Sequence, residues 1–250
     1  MDFVKMQGLG NDFVVIEGPA DPSRQDVVSW CDRRRGIGAD GVLEVTPLDD
    51  ARVRMRYWNA DGGAAEMCGN GLRCVARYAV DKGFVESQDF VVETAVGSLP
   101  VHVNLDGTVR AFIGRAQLGE ELAVAGVNLH TVDMGNPHAI QWVEDPDDAD
   151  VGGVGPLVET AEVFPNDTNV EFASISAPDT IRLRVWERGV GETLACGTGA
   201  AATAFLAHQL GKVGRSVAME LNGGTLRVDL TDDGVWIEGP AETVFRGRLY

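Results

Sequence analysis

Two cysteines occupy the same local setting 128 residues apart. Cys68-Gly69-Asn70-Gly71 and Cys196-Gly197-Thr198-Gly199 each open an apolar, helix-favouring stretch, Leu72 to Val80 in the first case and Ala200 to Leu210 in the second. A cysteine at a helix start meets unpaired backbone N–H groups and the positive end of the helix dipole, and both favour thiolate over thiol. The glycines let a ligand approach the backbone, whose N–H groups suit a carboxylate. Two such thiols, one on each face of a bound amino acid, can invert a stereocentre. One removes the Cα proton and the other delivers a proton to the opposite face. Helix N-termini aimed at the α-carboxylate would stabilise the enolate-like charge that develops. Only three lysines occur, Lys5, Lys82 and Lys212, so a pyridoxal Schiff base is the less favoured route to the same inversion.

A duplicated frame must position these thiols. Val53-Arg-Met-Arg-Tyr-Trp58 returns as Ile181-Arg-Leu-Arg-Val-Trp186, and both alternate apolar and charged residues with the period of a half-buried strand. The offset of 128 holds without a gap from Val53 to Ala79, and Gly83 and Gly211 stand where each helix should end. An earlier, weaker echo links Gly10-Asn-Asp-Phe13 with Gly135-Asn-Pro-His138. The expectation is an α/β (α+β) chain of two pseudo-symmetric domains from an internal duplication. The first covers 1–117, with 239–250 returning to it, and the second covers 118–238. The Asp- and Gly-rich stretch from Glu144 to Gly155 reads as a loop within the second half.

Composition narrows the partners. The formal net charge is −17, which opposes nucleic acid and anionic membrane surfaces, because both need a positive field. Hydrophobic residues make up 44% of the chain and charged residues 24%, ordinary values for a globular protein with a real core. No apolar run approaches a membrane span, and the N-terminus lacks the layout of a signal peptide. The expected setting is therefore cytoplasmic, where thiols stay reduced. Four cysteines are too few for a disulfide scaffold, and their spacing is not that of a zinc site. Cys74 reads as a core residue, and Cys31, with no motif around it, as structural or incidental. Gly36-Ile-Gly-Ala-Asp-Gly41 satisfies G-x-G-x-x-G literally but precedes a strand instead of following one, which argues against a dinucleotide fingerprint.

The motifs Gly8-Leu-Gly-Asn-Asp-Phe13, Trp58-Asn-Ala-Asp-Gly62, Glu66-Met-Cys-Gly-Asn-Gly-Leu-Arg-Cys74, Gly135-Asn-Pro-His138, Asn169-Val-Glu-Phe172 and Glu187-Arg-Gly189 leading to Glu192-Thr-Leu-Ala-Cys-Gly-Thr-Gly199 run in order along nearly the whole chain. Together they resemble the diaminopimelate epimerase family. The resemblance implies interconversion of LL- and meso-diaminopimelate without metal or cofactor, on the route to lysine and peptidoglycan precursors. It implies two domains, each a mostly antiparallel sheet wrapped around a central helix, and a homodimer. It makes Cys68 and Cys196 the acid/base pair. Gly69, Asn70, Gly197 and Thr198 would hold the α-carboxylate of the reacting centre. Asn11, Asn59, Asn169 and Arg188 would fix the distal amino-acid end, where a guanidinium suits a carboxylate. Asn136 would join the substrate-binding set, and His138 and Glu187 would lie close to the thiols. Two rivals remain at this point: a two-cysteine racemase of proline or hydroxyproline, and a non-catalytic thiol switch.

Overall fold

A computed structural model describes residues 1–249, which form two compact units, Met1–Phe112 together with the chain from Glu238 onward, and Ile113–Ile237. The division falls ahead of the boundary at 117 expected from sequence, because the strand after Gly114 pairs within the second unit.

The first unit runs β1 (Asp2–Gly8), β2 (Asn11–Glu17), α1 (Arg24–Cys31), β3 (Gly41–Asp49), β4 (Arg52–Asn59), β5 (Ala64–Ala65), α2 (Gly69–Lys82), β6 (Asp89–Thr94), β7 (Gly97–Val103) and β8 (Val109–Gly114). Hairpins β1–β2, β3–β4, β6–β7 and β7–β8 are antiparallel, whereas β2–β3 and β4–β6 are parallel and need crossovers. Helix α2 packs against β1, β2, β3, β4, β6 and β7 and forms the centre of the unit. Helix α1 covers the opposite face, where Val27 and Cys31 meet Val14, Ile16 and Val42. Burial on both faces explains why Phe13-Val-Val-Ile16 is a continuous apolar run, since an alternating strand would leave one side polar. In β4, by contrast, Val53 and Met55 point inward while Arg52, Arg54 and Arg56 are exposed.

The second unit repeats this order: β9 (Gln117–Val124), β10 (Val127–Asp133), β11 (Pro137–Trp142), α3 (Val151–Glu159), β12 (Asn169–Ala177), β13 (Thr180–Glu187), β14 (Gly191–Thr193), α4 (Gly197–Gln209), β15 (Ser216–Leu221), β16 (Gly224–Leu230) and β17 (Val235–Gly239). The parallel pairs recur as β11–β12 and β13–β15. Helix α4 is the central helix. Ala200, Ala201, Ala202, Ala204 and Ala207 are fully buried in it, and their small side chains let the surrounding strands approach closely. The last strand, β18 (Glu242–Arg248), pairs antiparallel with β1 in the first unit.

Helix α3 corrects the loop expected over Glu144 to Gly155. Asp150 caps it by accepting the Gly153 N–H at 3.0 Å, and Val151 and Val158 pack on Leu129, Val170 and Phe172. Its glycines mask the helical signal, and Gly155 is required by packing, because a Cβ there would lie 2.6 Å from the Trp186 ring. Tertiary contact thus overrides propensity.

The buried thiols of the core make stability pH-dependent. Burial pushes Cys31 up to about 11 and Cys74 up to about 12. The fold therefore favours the protonated thiol, whereas an unfolded cysteine ionises near ~8.5. Their contribution is intact below that value and lost as pH rises towards 11–12. Urea midpoints should fall above about pH 9, and Cys74→Ala should start lower but fall less steeply over that interval.

Candidate active site

Both cysteines of the repeat are helix N-caps. Cys68 precedes α2 with φ −145°, ψ 120°, and its Sγ accepts the Gly71 N–H at 3.4 Å. Cys196 precedes α4 with φ −117°, ψ 115°, and its Sγ accepts the Gly199 N–H at 3.4 Å. Each sulfur thus takes the place usually held by a serine or aspartate oxygen, on the third amide of its helix. At the other end of α2, Gly83 adopts φ +69° and closes the helix.

Around Cys68 the structure gathers Asn11 and Asn70. The thiol donates to Asn11 Oδ1 at 3.5 Å, Asn70 Nδ2 donates to the same oxygen at 3.4 Å, and Asn11 Nδ2 donates to Asp40 Oδ2 at 2.7 Å. Asn59 ends β4, and the neighbouring Ala60 N–H donates to Asp40 O at 3.1 Å, so the Asn59 turn abuts the same corner. Asp12 anchors that corner through Lys5 at 2.7 Å and two contacts from Arg33 at 2.7 and 3.0 Å. Burial alone would raise the Asp12 carboxyl, but hydrogen bonds from Arg33 and Lys5 prevail and hold it at about 2. Lys5, one of the three lysines, is committed to this ion pair.

Sequence reading missed Arg73 under Cys68. Its guanidinium is fully buried and donates to Gly69 O (3.3 Å), Asn70 Oδ1 (3.0 Å) and Pro240 O (3.3 Å). It ties the first turn of α2 to the returning C-terminal segment of the same unit. A charged residue in an apolar helix ordinarily reads as surface, so no spacing signal marked it.

Around Cys196 the structure gathers Thr198, Asn136 and His138. Thr198 Oγ1 lies 3.5 Å from the sulfur, Asn136 Nδ2 donates to Thr198 Oγ1 at 3.4 Å, and His138 Nε2 lies 3.1 Å from Asn136 Oδ1. His138 Nδ1 donates to Glu171 Oε1 at 2.6 Å, with both side chains fully buried. Glu171 is the second residue that sequence reasoning misses, because nothing in Asn169-Val-Glu-Phe172 marks its carboxylate as buried against a histidine. Burial pushes the Cys196 thiol well up, and the Glu187 and Glu171 charges push it further, against the Thr198 and Gly199 hydrogen bonds. Glu187 accepts from Thr193 Oγ1 at 2.5 Å.

Asn169, opposite His138 in the parallel pairing, joins Arg188 to the strand that carries His138. Asn169 Nδ2 donates to Pro137 O at 2.9 Å and its Oδ1 accepts the Arg188 N–H at 3.0 Å, while Arg188 Nη1 donates to Asn166 O at 3.0 Å. Glu159 builds this turn by accepting from Trp186 Nε1 and from the Gly189 N–H, both at 2.6 Å. A cavity of about 560 Å³ in the first unit lies along β4, β5 and β6 and is lined by neither cysteine, so it is not assigned to the chemistry.

The glycines at the third helical position differ between the halves. A Cβ on Gly71 would meet the mobile ends of Leu43 and Met55 at 3.2 and 3.4 Å, whereas one on Gly199 would meet Glu171 Oε1 at 2.5 Å. Because His138 pins that oxygen, Gly199→Ala should cost about 1–3 kcal/mol in urea unfolding, and Gly71→Ala less than half of that.

The family profile described as Diaminopimelate epimerase matches residues 3–119 and 130–244. The chain is 43% identical over 274 aligned positions to the diaminopimelate epimerase of Moorella thermoacetica, covering 99% of this chain and 98% of that protein. It is 41% identical over 279 positions to that of Heliobacterium modesticaldum, covering 100% and 99%. Among solved structures, a probable proline racemase from Agrobacterium radiobacter shares the fold with a TM-score of 0.76 at 18% identity, covering 100% of this chain and 92% of that one. With two cysteine-capped helices in a duplicated α/β fold, a family match over both halves and close relatives along the full length, this chain belongs to the diaminopimelate epimerase family.

Proposed function

We propose that this chain interconverts LL- and meso-diaminopimelate by proton transfer at Cα between Cys68 and Cys196. The observation that carries the reading is the pair of cysteine N-caps, each holding its sulfur on the third amide of its own helix. In the forward direction one cysteine, as thiolate, takes the Cα proton and becomes a thiol. The other, as thiol, delivers its proton to the opposite face and becomes a thiolate, so the pair is restored in reverse order. The first-turn N–H groups of Gly69, Asn70, Gly197 and Thr198 hold the α-carboxylate and stabilise the charge that develops on it. Asn136 and His138 line the approach to the thiols, and Glu187 adjusts their protonation. Asn11, Asn59, Asn169 and Arg188 bind the distal carboxylate and amine, with Arg188 supplying the planar donor pair that a carboxylate fits. Two thiols perform this inversion unaided, so no cofactor or metal takes part in the proposed steps. The proposal extends to a cytoplasmic homodimer serving lysine and peptidoglycan precursor synthesis; no helix among the described residues is long and apolar enough to cross a membrane.

The reading is tested by incubating reduced, metal-free protein separately with LL-diaminopimelate and L-proline and resolving the stereoisomers by chiral chromatography. Formation of meso-diaminopimelate with L-proline untouched is expected. Racemisation of proline with LL-diaminopimelate unchanged would overturn the substrate assignment, and a protein inert towards both would favour the thiol switch.

A further inference from the structure

The two halves differ at the positions where the repeat should make them alike. The offset that aligns Cys68 with Cys196 also aligns Gly71 with Gly199, Leu43 with Glu171 and Arg73 with Ala201. The parallel pairings add one more equivalence. Phe13 lies opposite Gly41 in the first unit, as His138 lies opposite Asn169 in the second. The equivalent positions of the first unit hold Phe13 and Leu43, both fully buried, and a Cβ on Gly71 would lie 3.2 Å from Leu43; Arg73, also fully buried, holds the first turn of α2 through Gly69 O and Asn70 Oδ1. Beneath the first turn of α4 the pair is His138 and Glu171, and no guanidinium stands at Ala201.

Glu171 is fully buried, yet only one of its oxygens is engaged, Oε1 by His138; Oε2 has no hydrogen-bond partner. An apolar pair of the same shape would fold without that penalty, as the first unit demonstrates. The carboxylate lies against Gly199, whose N–H holds the Cys196 sulfur, and it heads a chain of contacts through His138, Asn136 and Thr198 to the same sulfur.

We propose that Glu171 is a positioning residue for Cys196, which orients His138, Asn136 and Thr198 around the sulfur and places a negative charge beneath it that keeps this cysteine as the protonated partner in the resting protein. The groups around Cys196 are Glu187 from β13, Glu171 from β12, Thr198 with the Gly199 amide from α4 and, behind Thr198 and Asn136, His138 from β11, which is bound to Glu171. Both carboxylates oppose a thiolate there, and the hydrogen bonds favour one. The duplication supplied two equivalent thiols, and the exchange of Phe and Leu for His and Glu makes them chemically unequal. The inference rests on Cys196 being an acid/base group, but its test reads ionisation without substrate, so the two can fail separately.

The test is the pH dependence of iodoacetamide alkylation of the intact, reduced protein, with the Cys196 peptide quantified by mass spectrometry. Removing the charge in Glu171→Gln should shift the Cys196 profile to lower pH and speed its alkylation about tenfold at pH values below the wild-type midpoint. The Cys68 profile should stay in place. The double variant Glu171→Leu/His138→Phe, which installs the apolar pair of the first unit, should shift the Cys196 profile in the same direction. A folded Glu171→Gln protein with an unmoved Cys196 profile would overturn the proposal. So would a shift to higher pH, or failure of both variants to fold, which would make the pair a purely structural element.

Discussion

Replacing either Cys68 or Cys196 with alanine should reduce kcat for epimerisation by about 10²–10⁴-fold, the usual range for loss of a positioned acid/base group. The two losses should be comparable, because each variant leaves one face of the Cα centre unserved. They should also be non-additive, since a double variant has nothing further to lose once the pathway is broken. Cys74→Ala provides the contrast. Cys74 lies on α2 but is wholly buried in the core, so its loss should lower stability and leave kcat near wild type at temperatures where the protein is folded. Steady-state formation of the meso isomer measures all four variants. Turnover within threefold of wild type in either N-cap variant would refute the two-thiol assignment.

The largest stability effect should come from His138. In His138→Phe, Glu171 keeps its fully buried position but loses the hydrogen bond to its one engaged oxygen. An uncompensated buried charge of this kind costs about 3–5 kcal/mol. Adding Glu171→Leu to that variant should recover at least half of the loss, because the resulting residues are those that fill the equivalent, fully buried positions of the first unit, Phe13 and Leu43. Urea unfolding of the two single variants and the double gives the coupling directly. A cost below about 1 kcal/mol for His138→Phe, or simple additivity in the double, would show that the pair is not energetically linked.

Much of this was legible in the sequence because the informative features are local. The strand period at Val53–Trp58 and Ile181–Trp186, the cysteine ten residues beyond each, and the glycines that cap or flank the helices all act within a few residues of chain, and the duplication prints each of them twice. Glu171 and Arg73 were not legible. Glu171 sits in a strand buried on both faces, and its partner His138 comes from a parallel neighbour joined through α3. Arg73 is buried by carbonyls of its own helix start and by Pro240, 167 residues away. Helix α3 was hidden for the opposite reason: Gly152, Gly153 and Gly155 lower its local propensity, and the packing of Gly155 on Trp186 restores it. What escaped the sequence was therefore long-range pairing, and it concerns the residues that make the two halves differ.

In the proposed mechanism the proton removed from substrate and the proton delivered to product travel through different sulfurs, and this separation has an isotopic signature. It is tested most directly by following LL-diaminopimelate in D₂O at low conversion and measuring deuterium at the inverted α position by NMR in product and in recovered substrate. Two solvent-exchanged thiols predict a meso product that carries solvent deuterium from the first turnovers while the remaining LL isomer stays largely protiated. A product that retains the substrate's own α-hydrogen would require a single base shuttling one proton between faces, and would contradict the account.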